Sequence, residues 1–198
     1  MVVWLTVVGT AFAADDVLIE DFESTGYRGW DITGTAFGDS PAAGTLASQM
    51  PVSGYRGNHL VNTFHDGDGA VGTATSDPFT IQRNQIAFLI GGGADIDQVG
   101  VELLIDGKSV RKATGSESEE LLWTSWEVGQ WVGQQGQIRI YDRGVGGWGH
   151  INVDQFIQTD NAPKRFDLEH QLAQYRQSPD YLNEPLRPQV HFSPEIHW

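Results

Sequence analysis

Five consecutive residues, Gly146-Gly147-Trp148-Gly149-His150, combine an aromatic face with a hydrogen-bonding ring between small neighbours. Small flanks let a ligand approach the Trp148 face, and sugar rings stack on such faces through their apolar C–H groups. His150 can donate a hydrogen bond to a hydroxyl. The competing reading is structural: Trp148 plugs one end of the fold and the glycines mark a bulge. A second string, His65-Asp66-Gly67-Asp68-Gly69, reads as a polar loop able to offer hydroxyl-binding groups or oxygen ligands. It lacks the length and closing Glu of an EF-hand loop, so a plain surface turn competes with it. Gly91-Gly92-Gly93 lacks dinucleotide-fingerprint spacing and a following helix. It reads as a bend or close backbone approach, with Asp95 and Asp97 at a binding rim. The candidate ligand-binding residues are therefore Trp148, His150, His65, Asp66, Asp68 and Asp95.

These residues need elements to hold them. Short apolar or period-two runs recur between turn signals at Val17–Phe22, Trp30–Thr33, His59–Asn62, Gly72–Thr75, Phe79–Ile81, Gln85–Gly91, Val99–Ile105, Ser109–Thr114, Leu121–Glu127, Gln137–Tyr141 and Ile151–Gln158. Asp106-Gly107 tolerates positive φ and marks a two-residue hairpin. No helix-period segment longer than a turn or two precedes Pro163. The pattern predicts an all-β fold, a jelly-roll-like β-sandwich. Trp123, Trp126 and Trp131 read best as core and edge packing; Trp123 and Trp126 lie three apart, so on one strand they face opposite sides, which leaves one of them as an alternative exposed platform. After Pro163, a short amphipathic helix capped by Asp167 is expected, followed by extended chain forced by Pro179, Pro185 and Pro188.

Composition narrows the partners. The 12 Lys and Arg against 26 Asp and Glu give a formal net charge of -14. Such acidity repels phosphate backbones and anionic membrane surfaces, so neither nucleic acid nor membrane is an expected partner. With 39% hydrophobic residues the chain is too rich in core formers for disorder. The absence of cysteine excludes disulfides, thiol catalysis and thiolate metal sites. The six His show no zinc-protease spacing. Val2 to Phe12 is mostly apolar, too short to span a bilayer, and Ala11-Phe12-Ala13 has the small-x-small pattern of a signal-peptidase site. Export is therefore expected, although no Lys or Arg precedes the apolar run.

The final string, Arg187-Pro188-Gln189-Val190-His191-Phe192-Ser193-Pro194, resembles the opening of the catalytic domain of glycoside hydrolase family 32, the levanases, inulinases and invertases. Ile196-His197 departs from the common pair there. Five further strings are similar to the β-sandwich module that precedes the propeller in secreted bacterial levanase-like enzymes: Asp21-Phe22-Glu23, Thr35-Ala36-Phe37-Gly38, Gly57 to Asn62, Phe88 to Gly93 and Gly146 to Asp154. The resemblance implies residues 1–14 as signal peptide, 15–162 as a galactose-binding-like accessory sandwich, 163–186 as linker, and 187–198 as the start of a five-bladed propeller. It implies a parent enzyme that cleaves β-fructosyl bonds in levan, inulin or sucrose. Its partners would be a fructan polysaccharide or oligosaccharide and the propeller itself.

The string stops at Trp198, before the family's nucleophile motif, so no catalytic residue is assigned. Retaining hydrolysis needs two carboxylates roughly 5–5.5 Å apart. Glu117, Glu119 and Glu120, and Asp66 with Asp68, form carboxylate clusters, but charges are usually exposed and these read as solvated loop groups. No cofactor is expected. A structural Ca²⁺ is conceivable where Glu23, near the first strand, meets Asp154, near the last, since hard cations select oxygen donors. Two alternatives stand beside the sugar-binding reading: a purely structural sandwich packed against the propeller, and a free-standing lectin-like surface protein.

Overall fold

The computed structural model describes residues 14–161. The expected signal peptide (except Ala14), the helix capped by Asp167, the linker and the Arg187–Trp198 string lie outside the described residues. Eleven strands form: β1 (Val17–Glu20), β2 (Trp30–Gly34), β3 (Val61–Asn62), β4 (Gly72–Ser76), β5 (Phe79–Thr80), β6 (Gln85–Gly92), β7 (Val99–Ile105), β8 (Lys108–Ala113), β9 (Ser118–Glu127), β10 (Gln135–Asp142) and β11 (Ile151–Thr159). A single 3₁₀ turn, Gly129–Trp131, is the one helical element among the described residues. No helix there is long and apolar enough to cross a membrane.

Every expected run is a strand, and all pairings between named strands are antiparallel. One sheet has the order β1-β11-β6-β9, with β3 on β11; the other has β2-β4-β10-β7-β8, with β5 on β10. Asp106 and Gly107 adopt φ of 50° and 71°, as the β7–β8 hairpin requires. The two sheets enclose a core that includes Phe22, Phe37, Phe88, Trp126, Ile138, Ile140 and Phe156. Phe88 lies 5.0 Å from Phe156 and 4.6 Å from Trp126 between ring centroids. Burying each large apolar side chain contributes about 1.5–3 kcal/mol.

Strand β6 is apolar without alternation because both its faces are covered. Ile86, Phe88 and Ile90 enter the main core. Ala87 and Leu89 join Val52, Leu60, Leu121 and Trp123 in a second cluster. The excursion that covers that cluster, residues 43–60, is tied down by Leu60 N–H to Ala42 O at 3.0 Å and Leu121 N–H to Ser53 O at 2.8 Å. The two tryptophans face opposite ways and both are core, as expected: Trp123 fills the second cluster and Trp126 the first, so the alternative of an exposed platform does not hold for either. The excursion supplies the cover that the strand pattern could not reveal.

Candidate functional site

The strand directions bring five loops to one end of the sandwich. These are the segments after β2, between β3 and β4, between β6 and β7, between β8 and β9, and between β10 and β11. All six candidate residues lie on three of them. His65, Asp66 and Asp68 follow β3, Asp95 follows β6, and Trp148 and His150 precede β11.

The loops approach through glycines. A Cβ on Gly93 would stand 2.1 Å from the Trp148 carbonyl oxygen, and one on Gly92 2.6 Å from that of His150. The Gly93 N–H donates to that His150 oxygen at 2.9 Å. The glycine triplet is thus a close approach of two backbones. Trp148 itself sits at φ 62°, a left-handed conformation unusual for an aromatic residue. Its half-buried ring stacks on His150 at 5.7 Å and 22°. Phe64 meets the same imidazole edge-on at 4.9 Å.

His150 is only 2% exposed and lies between two carboxylates. Its Nδ1 is 2.6 Å from Asp68 Oδ1, and its Nε2 is 3.2 and 3.3 Å from the two Glu119 oxygens. When the ring is protonated both nitrogens donate. Glu119 is 6% exposed, not the solvated loop group expected of it. The reason is its register: Glu119, Leu121 and Trp123 alternate onto the face of β9 that the 43–60 excursion covers. Asn152 Nδ2 donates to Glu119 Oε2 at 2.6 Å. The two residues meet across β6 at Gly91, the register partner of Asn152, which carries no side chain to separate them.

From this buried centre, contacts run outward to a groove. Gln49 Nε2 donates to Glu119 Oε2 at 3.0 Å, and Asn62 Nδ2 donates to Gln49 Oε1 at 2.7 Å. The groove encloses about 410 Å³ and is lined by Leu46, Ala47 and Ser48 on one side and by Phe64, His65, Asp66 and Gly67 on the other. Ser48 and Asp66 hold left-handed φ of 65° and 60°. Three buried side-chain atoms in the described residues lack a hydrogen-bond partner, and all three belong to this end: His65 Nε2, Asp142 Oδ2 and Asn152 Oδ1. Burial pushes the Asp142 carboxyl up to about 6, against the pull of the Gly144 N–H.

The structure therefore gathers His65, Asp66, Asp68, His150 and Trp148, with His65 and Asp66 on the groove and Asp68 and His150 behind its wall. Asp95 is exposed in the neighbouring turn, where its carboxylate accepts the Asp97 N–H at 3.0 Å. Sequence reasoning passed over Glu119, Gln49, Asn62, Phe64 and Asn152. Only Glu119 carried a signal, its alternation with Leu121 and Trp123.

The Ca²⁺ expectation concerns the middle of β11. Asp154 is fully buried beside a bulge, and burial pushes its carboxyl up to about 7, with Glu23 and Asp21 adding to the rise. Its oxygens accept the Arg56 and Gln155 N–H groups, both at 2.7 Å. Glu23 Oε1 accepts the Asn58 and His59 N–H groups at 2.7 and 2.9 Å. Backbone donors thus occupy both carboxylates. Among the described residues no group of three or more His, Asp or Glu is placed to hold a metal ion.

No protein-family model matches the chain. It is 46% identical over 144 residues to the glycosyl hydrolase-like ecdE protein of Aspergillus rugulosus. The match takes in 71% of this chain but only 20% of that protein. Among solved structures, the K1 cleaved adhesin domain of Lys-gingipain from Porphyromonas gingivalis aligns with a TM-score of 0.48 at 12% identity, over 75% of this chain and 100% of that one. The CBM22-1 xylan-binding domain of Paenibacillus barcinonensis Xyn10C aligns at 0.45 and 14% identity, over 78% of this chain and all of its own. The chain is thus a β-sandwich related in sequence to a fraction of a much longer glycosyl hydrolase-like protein.

Proposed function

We propose that residues 15–162 form the accessory carbohydrate-binding module of an exported family 32 glycoside hydrolase that cleaves β-fructosyl bonds in levan, inulin or sucrose. The observation that carries the reading is the groove. Its volume of about 410 Å³ falls in the usual range for small-ligand sites. It sets the Phe64 ring and the apolar Leu46 and Ala47 beside the polar His65 and Asp66. A sugar unit offers the matching pair of surfaces, apolar C–H faces and a rim of hydroxyls. The exposed Asp66 carboxylate supplies one hydroxyl-binding group, beside a His65 ring whose Nε2 is buried against Gly38. Trp148, stacked on His150, forms the outer subsite of this reading, with Asp95 in the neighbouring turn, while Asp68 and His150 support the groove from behind.

Kinship with a glycosyl hydrolase-like protein supports the enzymatic context, and the Arg187–Trp198 string supports a β-propeller as the intramolecular partner. The apolar residues 1–14 support export. The module's role would be tethering, which raises the effective substrate concentration at the catalytic domain. Affinity electrophoresis of the whole chain in levan and inulin gels tests this. Retardation that falls in Phe64→Ala and His65→Ala is the expected result. A second reading, a sandwich without a sugar site that only packs against the propeller, draws on the fact that both nitrogens of His150 are already taken. Unretarded migration on every fructan would select it.

A further inference from the structure

Both walls of the groove hang on one buried carboxylate. The first wall, residues 46–48, is a turn closed by Gln49 N–H to Leu46 O at 3.3 Å and by Leu46 N–H to Gln49 Oε1 at 3.0 Å. The amide of that Gln49 also reaches Glu119. The second wall, residues 64–67, begins with Phe64 N–H on Asn62 Oδ1 at 3.1 Å. It closes on itself with Gly67 N–H to Phe64 O at 3.2 Å. The next residue, Asp68, is held by His150, whose other nitrogen faces Glu119. Among the described residues, Glu119 is therefore the shared anchor of two segments whose other link is the Gln49–Asn62 amide pair.

We infer that Glu119 and His150 are positioning residues of this groove: together they set the separation of its walls, and hence its affinity for a sugar unit, without touching the sugar. The inference rests on the groove being the binding site. Bonds to a buried carboxylate are strong and directional, so they hold their donors in one geometry. In Glu119→Ala both oxygens are removed, so Asn152 Nδ2 and Gln49 Nε2 lose the Oε2 they share and His150 Nε2 loses Oε1. The tie to the first wall through Gln49 and the tie to the second through His150 are both cut. Asp68→Ala cuts only the second wall, at a side chain 28% exposed, so the fold tolerates it.

Three measurements on the whole chain test this: retardation in levan gels, amide hydrogen exchange and thermal unfolding. Asp68→Ala is expected to weaken fructan binding about tenfold. Exchange at residues 64–68 should quicken about tenfold while 46–49 stays protected, because local opening is set by local contacts. Glu119→Ala should quicken both segments; if it does not fold, Gln49→Ala serves for the first wall. Ile105→Val, a core change on β7, should lower the melting temperature and leave binding and both exchange rates alone. Wild-type exchange in Asp68→Ala and Glu119→Ala overturns the inference. So does a loss of binding in Ile105→Val equal to that in Asp68→Ala. If the wild-type chain is not retarded at all, the fructan reading fails, and the exchange pattern alone still decides whether Glu119 and His150 hold the walls.

Discussion

At the scale of single residues, this sandwich uses glycine for two different ends, and the difference is measurable. Gly93 lies where the backbones after β6 and before β11 nearly touch. An added Cβ would meet the Trp148 oxygen at 2.1 Å and Val99 Cγ2 at 2.8 Å. Neither neighbour is the free end of a flexible chain. Gly93→Ala is therefore expected to cost about 1–3 kcal/mol, the usual penalty for overpacking. Gly146 and Gly147 stand in the same sequence motif with nothing within 4 Å of their Cβ positions, and neither has a positive φ. Gly146→Ala should change stability by less than about 0.5 kcal/mol. Thermal unfolding of the two variants side by side checks the contrast. The same loop shows why Trp148 is not interchangeable with another aromatic-bearing position. Its left-handed backbone conformation is tolerated because the stack on His150 and the Gly93 approach fix the residue from two sides.

At the scale of elements, the decisive feature is β6, a strand covered on both faces. Leu89 is 3% exposed in the second cluster, beneath the 43–60 excursion. Leu89→Ala should cost about 2–5 kcal/mol. Because the excursion rests on that cluster, limited proteolysis should cut within 43–60 faster than in the wild type, while the main core resists. The eleven strands were legible in the sequence because each is short, apolar or alternating, and bounded by Gly, Asn, Asp or Pro. Their ends were less so: β9 begins at Ser118 rather than Leu121, since Glu119 and Glu120 look like loop residues until their alternation with Leu121 and Trp123 is noticed. The gathering of His65, Asp66, Asp68, Trp148 and His150 was legible only as separate strings. What joins them is strand order, and β11 lies beside β1, β3 and β6 through pairings that no local pattern announces. Gln49 and Asn62 were illegible for a related reason. Their roles depend on a covering segment whose path over the sheet is set by burial of Val52 and Leu60, not by its own periodicity.

For the whole molecule, the buried carboxylates predict how stability varies with pH. Asp154 and Asp142 are held, by burial first, up to about 7 and about 6, against 3.8 for an ordinary Asp. Between those limits the folded chain binds more protons than the unfolded chain. Stability therefore falls as pH rises through that window, and rises as pH is lowered from 8 toward 5. Two other carboxylates act in the opposite sense. Burial works against the charges of Glu23 and Glu102, but hydrogen bonds from His59 and Asn58 to the first, and Ser109, Arg139 and Lys112 around the second, hold both below 4.5. Their contribution is present above that value and is lost on further acidification. The two trends cross between the ordinary Asp and Glu values of 3.8 and 4.5, so the melting temperature should peak at about pH 4 and decline on either side. Scans of thermal unfolding from pH 3 to 9 would trace the peak, and Asp154→Asn should flatten its alkaline limb by roughly half, because Asp142 remains. An alkaline limb as steep in the variant as in the wild type would mean that Asp154 stays ionised in the folded chain, and that the Arg56 and Gln155 N–H groups outweigh its burial.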